Sequence, residues 1–336
     1  MVMSEINSIA ELANKLTQLG KPKQGFTRFF RGHPNFKFEL EPSIYRSDEF
    51  IKYEHKMIKD TLTECAEYFY PHENLFEKLV RMQHYGYKTR ILDITTNVLV
   101  ALYFAVNNND DDEQNGEVLV FDIPNDEIKH HDSDTVAILS ALSLRDEKFD
   151  VEFYRKMAHQ DFLTDTNILL NQLRKNPLNL QDNLININTQ IDDDILSYQT
   201  KDLNDGYFKA INKIFNEYPE IIQLLNDIRK DKPYFLPNID IRDFNRVLCV
   251  KPTLNNERIK SQQGAFLIFG IENNKLTPAN FMQDWQRFYN GERLIINKHA
   301  KSTICDDLKS FGISHQILFP EIDNQAKHII SRYVEI

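Results

Sequence analysis

The spacing of apolar residues along the chain predicts short β-strands that alternate with amphipathic α-helices. The first predicted helix begins near Ser8, which has capping-box spacing with Glu11. Further helices are predicted over 47–69, 74–85, from 98 onward, 207–231, 300–311 and 321–333. Segments rich in β-branched and aromatic residues predict strands over 26–32, 89–94, 117–123, 246–250, 265–271 and 293–297. This alternation predicts an α+β protein with a sheet core and flanking helices.

The helix predicted over 47–69 carries apolar residues at helical spacing. Phe50, Tyr53, Met57 and Leu62 fall on roughly one face of this helix. An amphipathic helix packs its apolar face against the rest of the protein. These four side chains are therefore predicted to lie in the core.

Residues 126–243 differ in composition from the rest of the chain. They contain a single glycine, Gly206, and the apolar residues between Tyr207 and Asp231 recur at helical spacing. We interpret this segment as a helical insertion packed on the sheet. The predicted organisation is an N-terminal half over 1–125, the insertion over 126–243 and a C-terminal half over 244–336.

Polar residues cluster where the strand over 89–94 meets the next helix. Arg90 and Asp93 lie within this strand, and Thr95, Thr96 and Asn97 follow it with side-chain oxygens that can cap a helix. The N-terminus of a helix is a favourable place for an anion. The alternative is a structural role, in which Arg90 and Asp93 form an ion pair and Thr95 or Asn97 only caps the helix.

A second polar feature interrupts the strand over 26–32. Arg31 follows three phenylalanines and precedes Gly32, which permits close approach by a ligand or another chain segment. The planar guanidinium of an arginine suits bidentate binding of a phosphate or carboxylate. The alternative is an arginine stacked on Phe29 or Tyr85 at the surface. We expect Arg31 and the 90–96 segment to lie in one cleft.

Formal net charge is −10, from 40 Lys and Arg against 50 Asp and Glu. An acidic chain disfavours nonspecific binding to nucleic acid or anionic membranes, because such binding is mainly electrostatic. A local basic cleft remains compatible with this balance, and four cations near the two polar features could form one. These cations are Arg28, Arg31, Lys88 and Arg90.

Targeting and metal signals are weak in this sequence. No apolar run approaches the ~18 residues of a membrane span, and the acidic N-terminal segment differs from a secretion signal, so a cytoplasmic protein without membrane contact is predicted. Three well-separated cysteines argue against a disulfide framework and a zinc site. The sequence His130-His131-Asp132 favours a polar loop over a metal site. No metal is predicted.

Four ordered motifs resemble the FRG-domain family, which is called after its Phe-Arg-Gly motif. They are FFRG ending at Gly32, QHYGYKTRILDITTNVLVALYFA over 83–105, RIKSQQGAF over 258–266, and ILFPEIDNQAKHI over 317–329. The motifs cover both ends of the chain and leave roughly 125–245 without a counterpart. A more distant similarity is to the ADP-ribosyltransferase fold, including its DNA-modifying branch. This similarity implies an ADP-ribosyltransferase-like mixed β-sheet core split by the helical insertion.

The more distant resemblance also implies roles for individual residues. Arg31 would hold the dinucleotide, Thr95 and Thr96 would shape the nicotinamide pocket, and Gly264 falls where that fold places a catalytic glutamate. Glycine supplies neither charge nor a base, so Asp93 or Glu257 would have to supply the carboxylate. Catalytic candidates are Arg31, Asp93 and Gln263, and nucleotide-binding candidates are Arg31, His84, Tyr85, Thr89, Arg90, Thr95, Thr96 and Gln262.

The implied activity is transfer of ADP-ribose from NAD to a macromolecule, or hydrolysis of NAD. NAD would be a substrate, and the acceptor would be a nucleic acid or a protein. The resemblance further implies a toxin or a phage-defence protein. The glycine at position 264 favours the alternative, a noncatalytic FRG module that senses a nucleotide or docks a partner.

Overall fold

The computed structural model describes residues 3–107, 113–175, 201–331 and 333. The described residues form one mixed sheet with helices packed on it. The strands are β1 Met3–Ile6, β2 Phe26–His33, β3 Ile91–Thr95, β4 Gly116–Pro124, β5 Ile128–His130, β6 Val247–Lys251, β7 Gly264–Phe269, β8 Gln286–Arg287 and β9 Arg293–Ile296. The α-helices are α1 Ile9–Leu19, α2 Asp48–Glu64, α3 Leu75–His84, α4 Val98–Val106, α5 Asp134–Ala141, α6 Val151–Lys175, α7 Lys201–Phe215, α8 Pro219–Asp231, α9 Glu257–Gln262, α10 Lys301–Ser310, α11 His315–Leu318 and α12 Ile322–Ser331.

The sheet has the strand order β1-β9-β4-β2-β3-β7-β6-β5, and β8 pairs with β4 off this path. Antiparallel pairs form its centre, while the outer pairs β1 with β9 and β5 with β6 are parallel. The two central strands, β2 and β3, are joined only at Phe30 opposite Thr95. By contrast, β2 pairs with β4 along its whole length. The sheet is therefore two half-sheets that meet at a single position and separate beyond it.

Three apolar clusters cover the sheet. One face of the β3-β7-β6-β5 half packs against α3, α5 and α8. The same face of the β1-β9-β4-β2 half packs against α1, α4 and α10. The opposite face carries its own cluster, which includes Phe29, Phe121 and Trp285. Each half-sheet thus has its own helical layer on this face. The boundary between the two layers lies where the sheet splits.

The glycine of the Phe-Arg-Gly sequence lets α4 approach β2. A Cβ added to Gly32 would lie 1.9 Å from the backbone oxygen of Ala101 and 2.6 Å from the backbone nitrogen of Ala105. Both distances are far below any real contact, and both atoms belong to the backbone of α4. The close approach that the sequence predicts at Gly32 is thus made by a helix of the same chain.

A buried charge cluster anchors α2 to the start of β3. Glu54 binds Arg90 through its Oε1 atom, which accepts from Nε at 3.0 Å, and the Nζ atom of Lys275 lies 2.7 Å from Oε2. All three side chains are fully buried. Lys275 also donates to the carbonyls of Leu142 and Arg145 at 2.7 and 2.8 Å. Burial opposes ionisation of Glu54, but the two cations outweigh it and lower its pKa to about 2.

The hydrogen-bond geometry around Lys275 indicates that its side chain is charged. Burial lowers the pKa of Lys275 to about 7, and the attraction of Glu54 opposes this shift. Its Nζ atom has three acceptors around it, which matches the three N–H donors of an ammonium group. We therefore describe the cluster as one carboxylate between two cations.

The observed elements agree with most of the predicted ones. β1 precedes the predicted first helix, and β5 is a strand inside the segment predicted to be a helical insertion. The described parts of 126–243 are otherwise mainly helical, and 176–200 lie outside the described residues. This segment shares a core with the sheet through α5 and α8.

The predicted core face of α2 is wrong for Phe50 and Tyr53, whereas Leu62 packs against the core as predicted. Phe50 and Tyr53 are exposed, at 39% and 43% of their full surface. The buried positions are instead Ile51, Glu54, Ile58 and Thr61, of which two are polar. Hydrophobic periodicity misses this face because a charged residue and a hydroxyl occupy half of it.

No helix among the described residues is long and apolar enough to cross a membrane. The three cysteines, Cys65, Cys249 and Cys305, are free thiols. Across the described part of the chain, no group of three His, Cys, Asp or Glu side chains is placed to hold a metal ion.

Candidate functional site

A cavity of about 300 Å³ lies where β2 and β3 separate. The ends of these strands form its floor together with the start of β7. Helices α4 and α9 and the turn that ends at Arg46 form its walls. The lining residues include three arginines, two histidines and one carboxylate: Arg31, Arg46, Arg258, His33, His84 and Asp93. Small-molecule sites in proteins typically enclose about 300 to 1,000 Å³, so this cavity falls at the lower end of that range.

Arg31 reaches the cavity through the gap between the half-sheets. The alternation of side chains along β2 directs Arg31 away from the face that carries Phe30 and Thr95. Its guanidinium nevertheless lies against β3, because Nη1 donates to the backbone oxygen of Asp93 at 2.6 Å. Arg31 and Thr95 thus line one cavity, as predicted, although they leave the sheet from opposite faces. This arrangement depends on the strands separating.

The charge on Arg31 survives its burial. Burial lowers the pKa of Arg31 to about 10, the attraction of Asp93 opposes this shift, and the nearby Arg46 adds to it. Since this value remains well above 7, the guanidinium is cationic at neutral pH. Its Nε atom donates to Nε2 of His33 at 3.0 Å, which fixes one edge of the guanidinium. The side chain is therefore held in place before any ligand arrives.

Both histidines of the cavity are neutral. Burial is the main cause that lowers the pKa of His33 to about 2, and the charge of Arg31 adds to it. Burial and Arg258 likewise lower the pKa of His84 to about 4, against the attraction of Asp93. His33 accepts a hydrogen bond at Nε2, so its proton is on Nδ1. The positive charge of the cavity comes from its arginines.

The pKa of His84 predicts how stability changes with pH. The unfolded chain takes up a proton on this residue below about pH 6.5, whereas the folded protein does so only near pH 4. Between these values the unfolded state binds more protons, so the free energy of unfolding falls as the pH is lowered. We expect His84→Asn to reduce this slope, as measured by urea unfolding at pH 7.0, 5.5 and 4.5. An unchanged slope would contradict a neutral, partly buried His84.

Protein groups contact part of the Arg258 guanidinium, but one of its donors has no partner among the described residues. Its Nη1 atom donates to the backbone oxygen of His84 at 3.3 Å and lies 3.5 Å from a carboxylate oxygen of Glu321. The guanidinium stacks over the ring of Phe319, 4.5 Å from the ring centre. Its Nε atom is buried and has no hydrogen-bond partner in the described structure. A buried donor without a partner is costly.

Asp93 is the one carboxylate among the described residues that line the cavity. Its Oδ2 atom accepts a hydrogen bond from Nε2 of Gln83 at 2.5 Å. Gln83 in turn accepts at Oε1 from the hydroxyl of Thr89, also at 2.5 Å. This chain of two hydrogen bonds fixes the carboxylate from the side of α3. Thr89 itself is buried outside the cavity lining.

Thr95 and Asn97 use their side chains mainly for hydrogen bonds with backbone groups. Thr95 lines the cavity, but its hydroxyl donates to the carbonyl of Gln262 at 2.7 Å and accepts from the amide of Asn97 at 3.0 Å. Thr96 is exposed, and its amide donates to the carbonyl of Gln263 at 3.2 Å. Asn97 caps α4, because its side chain accepts from the amide of Leu99 at 3.0 Å. The capping alternative thus holds for Asn97.

Gln262 and Gln263, at the C-terminal end of α9, differ in burial and in backbone conformation. Gln262 is buried, lines the cavity and donates to the carbonyl of Leu318 at 3.0 Å. Gln263 is exposed, has a left-handed backbone with φ of 47° and does not contribute to the lining. Gly264 lines the cavity at the start of β7.

The cavity gathers five of the candidate residues. Those that line it are Arg31, His84, Asp93, Thr95 and Gln262, and those outside the lining are Tyr85, Thr89, Arg90, Thr96 and Gln263. The alternative of an ion pair between Arg90 and Asp93 is wrong, because Arg90 is paired with Glu54. Exposed Lys88 and the ion pair of Arg28 with Asp122 are likewise outside the lining, so the predicted basic cleft has different members.

Sequence reasoning missed two of the three arginines. Arg46 ends a 3₁₀ turn over Ser43–Arg46 and lies 5.6 Å from the ring centre of Phe38. No local pattern marks it. Arg258, by contrast, opens the RIKSQQGAF segment that carries the family resemblance, and this position was the available signal.

Residues 27–114 match the family model of the FRG domain. The chain contains an FRG domain. The matched range supplies Arg31, Gly32, His84, Asp93 and Thr95, whereas α9 and β7 complete the cavity from outside that range. No curated protein and no solved structure matches the chain.

The cavity combines positive charge with apolar walls. Three guanidinium groups face one carboxylate, and Phe38, Phe104 and Phe266 contribute aromatic surface to the lining. Guanidinium groups bind phosphate and carboxylate oxygens, while aromatic rings provide contact for a planar ring. The arrangement thus has the chemistry to hold a small anion with an apolar or aromatic part.

Proposed function

We propose that this FRG-domain protein binds a nucleotide in the cavity between its half-sheets, with Arg31 and Arg258 on the phosphate groups. The observation that carries the proposal is the charge of the cavity, whose described lining has three guanidinium groups against one carboxylate. Phosphate oxygens would accept hydrogen bonds from these guanidinium groups and neutralise part of that charge.

NAD is the nucleotide that we propose as substrate. The support is the similarity of the sequence motifs to the ADP-ribosyltransferase fold, in which an arginine on an early strand holds the dinucleotide. Arg31 occupies that strand position, and its fixed guanidinium is suited to a diphosphate. At about 300 Å³ the cavity would enclose one part of a dinucleotide and leave the rest at its mouth. Transfer of ADP-ribose to a macromolecule, or hydrolysis of NAD, would be the corresponding activity, in a toxin or defence protein.

Replacing Arg31 with lysine tests this proposal. Lysine retains the charge but loses the planar fork, so we expect NAD to bind about tenfold or more weakly, in line with the 1.5 to 3 kcal/mol of a hydrogen bond to a charged group. Isothermal titration calorimetry with NAD and with ADP-ribose measures the change. The melting temperature of the variant shows whether the fold is retained.

Arg28→Lys is the matched control for this measurement. Arg28 lies on the same strand, three residues earlier, and its guanidinium is paired with Asp122 at 2.7 Å outside the cavity lining. We expect this variant to bind NAD like the parent protein. If the parent has no measurable affinity for NAD or ADP-ribose, or if both lysine variants bind equally well, the proposal fails.

A noncatalytic nucleotide sensor is the second candidate. It is favoured by Gly264, because glycine stands where the related fold has a glutamate, and by the exposure of Gln263. A sensor would bind NAD without releasing nicotinamide. Chromatographic detection of nicotinamide after incubation with labelled NAD, and with separate DNA, RNA and protein pools, separates the two candidates.

A further inference from the structure

Asp93 lies beside the position that Gly264 leaves empty. In the antiparallel pair of β3 and β7, Thr95 is opposite Gly264 and Asp93 is opposite Phe266. Directly opposed residues share a face, and so do residues two apart on one strand. Asp93 and Gly264 are therefore diagonal neighbours on the same face, and both line the cavity. Side chains in this relation start about 7 to 8 Å apart or less, within reach of one ligand atom.

The carboxylate of Asp93 is also held in a fixed orientation. Gln83 donates to Oδ2, and Thr89 fixes the amide of Gln83 by donating to its oxygen. The carboxylate is close enough to Arg31 and His84 to influence the pKa of both. Glu257, the other acidic candidate, is exposed and paired with Lys260 at 2.7 Å.

We propose that Asp93 is the catalytic carboxylate of this cavity and that Gln83 is its positioning residue. Asp93 would act from a position diagonal to Gly264 in the pair of β3 and β7. This inference rests on the proposed function, because it assumes NAD as the substrate. The negative charge would face the ribose carbon that becomes positive as nicotinamide leaves, and the same group would take up the proton of the attacking nucleophile.

The step balances with water as the nucleophile. The bond between ribose C1′ and the nicotinamide nitrogen breaks, and its electron pair leaves with the nitrogen. The water oxygen forms the new bond to C1′, and one water proton passes to Asp93 and then to solvent. The products are nicotinamide, ADP-ribose and one proton. A hydroxyl or amino group of a macromolecule would take the place of water in a transfer reaction.

Asp93→Asn tests the catalytic role, because asparagine keeps the size and loses the charge. We expect nicotinamide release to fall about 100-fold or more, while calorimetry shows NAD affinity close to that of the parent. If the asparagine variant releases nicotinamide at the parental rate, Asp93 is not the catalytic carboxylate.

Gly264→Glu in the Asp93→Asn background provides a rescue. A Cβ at position 264 would have its nearest neighbour, Cγ2 of Ile259, at 3.7 Å, which is an ordinary contact. We expect the glutamate to restore part of the activity and Gly264→Gln in the same background to restore none. Rescue by both side chains alike would contradict a need for negative charge.

Gln83→Met tests the positioning role of Gln83, because a purely structural role would not lower kcat while leaving KM unchanged. We expect kcat to fall between about tenfold and about a hundredfold with little change in KM, since the carboxylate loses its orientation but the phosphate contacts remain. A change in KM alone would overturn this role.

The two proposals fail in different ways. If the parent protein binds NAD but releases no nicotinamide above the buffer control, the catalytic role of Asp93 is overturned and nucleotide binding stands. If the parent does not bind NAD, the proposed function is wrong, and the role of Asp93 falls with it.

Discussion

Replacing Gly32 with alanine is expected to destabilise the protein by about 3 kcal/mol or more. The added methyl group would lie 1.9 Å from the backbone oxygen of Ala101 and 2.6 Å from the backbone nitrogen of Ala105. Overpacking usually costs about 1 to 3 kcal/mol, and rotation of a side chain cannot relieve this clash because both atoms belong to the helix backbone. The whole of α4 would have to move away from β2. Urea unfolding followed by circular dichroism measures the loss.

Gly264→Ala is the control for this prediction. Gly264 also belongs to a strand of the sheet, but a Cβ there would meet Ile259 at 3.7 Å and need displace nothing. Its stability should remain within about 1 kcal/mol of the parent, since alanine also reduces the entropy of the unfolded chain. Equal losses in the two variants would show that α4 yields to the methyl group and that its close packing on Gly32 is not required.

The motif around Gly32 shows what a sequence can and cannot predict. The apolar run and the glycine predict a strand with a point of close approach, and both are present in β2. The identity of the approaching group depends on a helix that begins more than sixty residues later. Local pattern therefore predicted the element and the need for glycine, whereas the contact itself required the tertiary structure.

The site was predicted in part for the same reason. Arg31, Asp93 and Thr95 were predicted to share a cleft because they interrupt apolar strands, and they line one cavity. Arg46 lies in a turn without any periodic pattern, so nothing in its neighbourhood marks it as part of a site. The split between β2 and β3, which gives Arg31 its access, is a property of strand pairing and leaves no trace in the spacing of residues.

Arg90 shows how a buried charge misleads pattern analysis. Its position in the motif predicted a ligand contact, but its partner is Glu54, on a helix 36 residues earlier. The same pairing explains the error on α2. The buried face of this helix carries Glu54, whereas Phe50 and Tyr53 lie on its exposed surface. Hydrophobic periodicity assumes that charges face water, and this assumption fails when two charges are buried together.

Glu54→Gln is expected to destabilise the protein by about 3 to 5 kcal/mol. Glutamine keeps the shape of the side chain but removes the negative charge, so the cations of Arg90 and Lys275 would remain buried without a counter-charge. The stabilisation by Glu54 is also pH-dependent, because its pKa falls from 4.5 to about 2 on folding. It is fully present well above pH 4.5 and is lost as the pH falls toward 2. The variant should therefore approach the parent in stability under strongly acidic conditions.

Glu152→Gln is a closely matched control, because Glu152 also binds one arginine and one lysine. Its partners are Arg155 at 2.6 Å and Lys156 at 3.4 Å, but both cations are more than half exposed. An exposed pair contributes about 0 to 1 kcal/mol, so this variant should unfold near the parental urea midpoint. The two variants remove the same charge from the same kind of three-residue contact and differ in burial. A loss at Glu54 no larger than that at Glu152 would mean that water reaches the cluster, and that Arg90 does not anchor α2 to β3 through a desolvated charge.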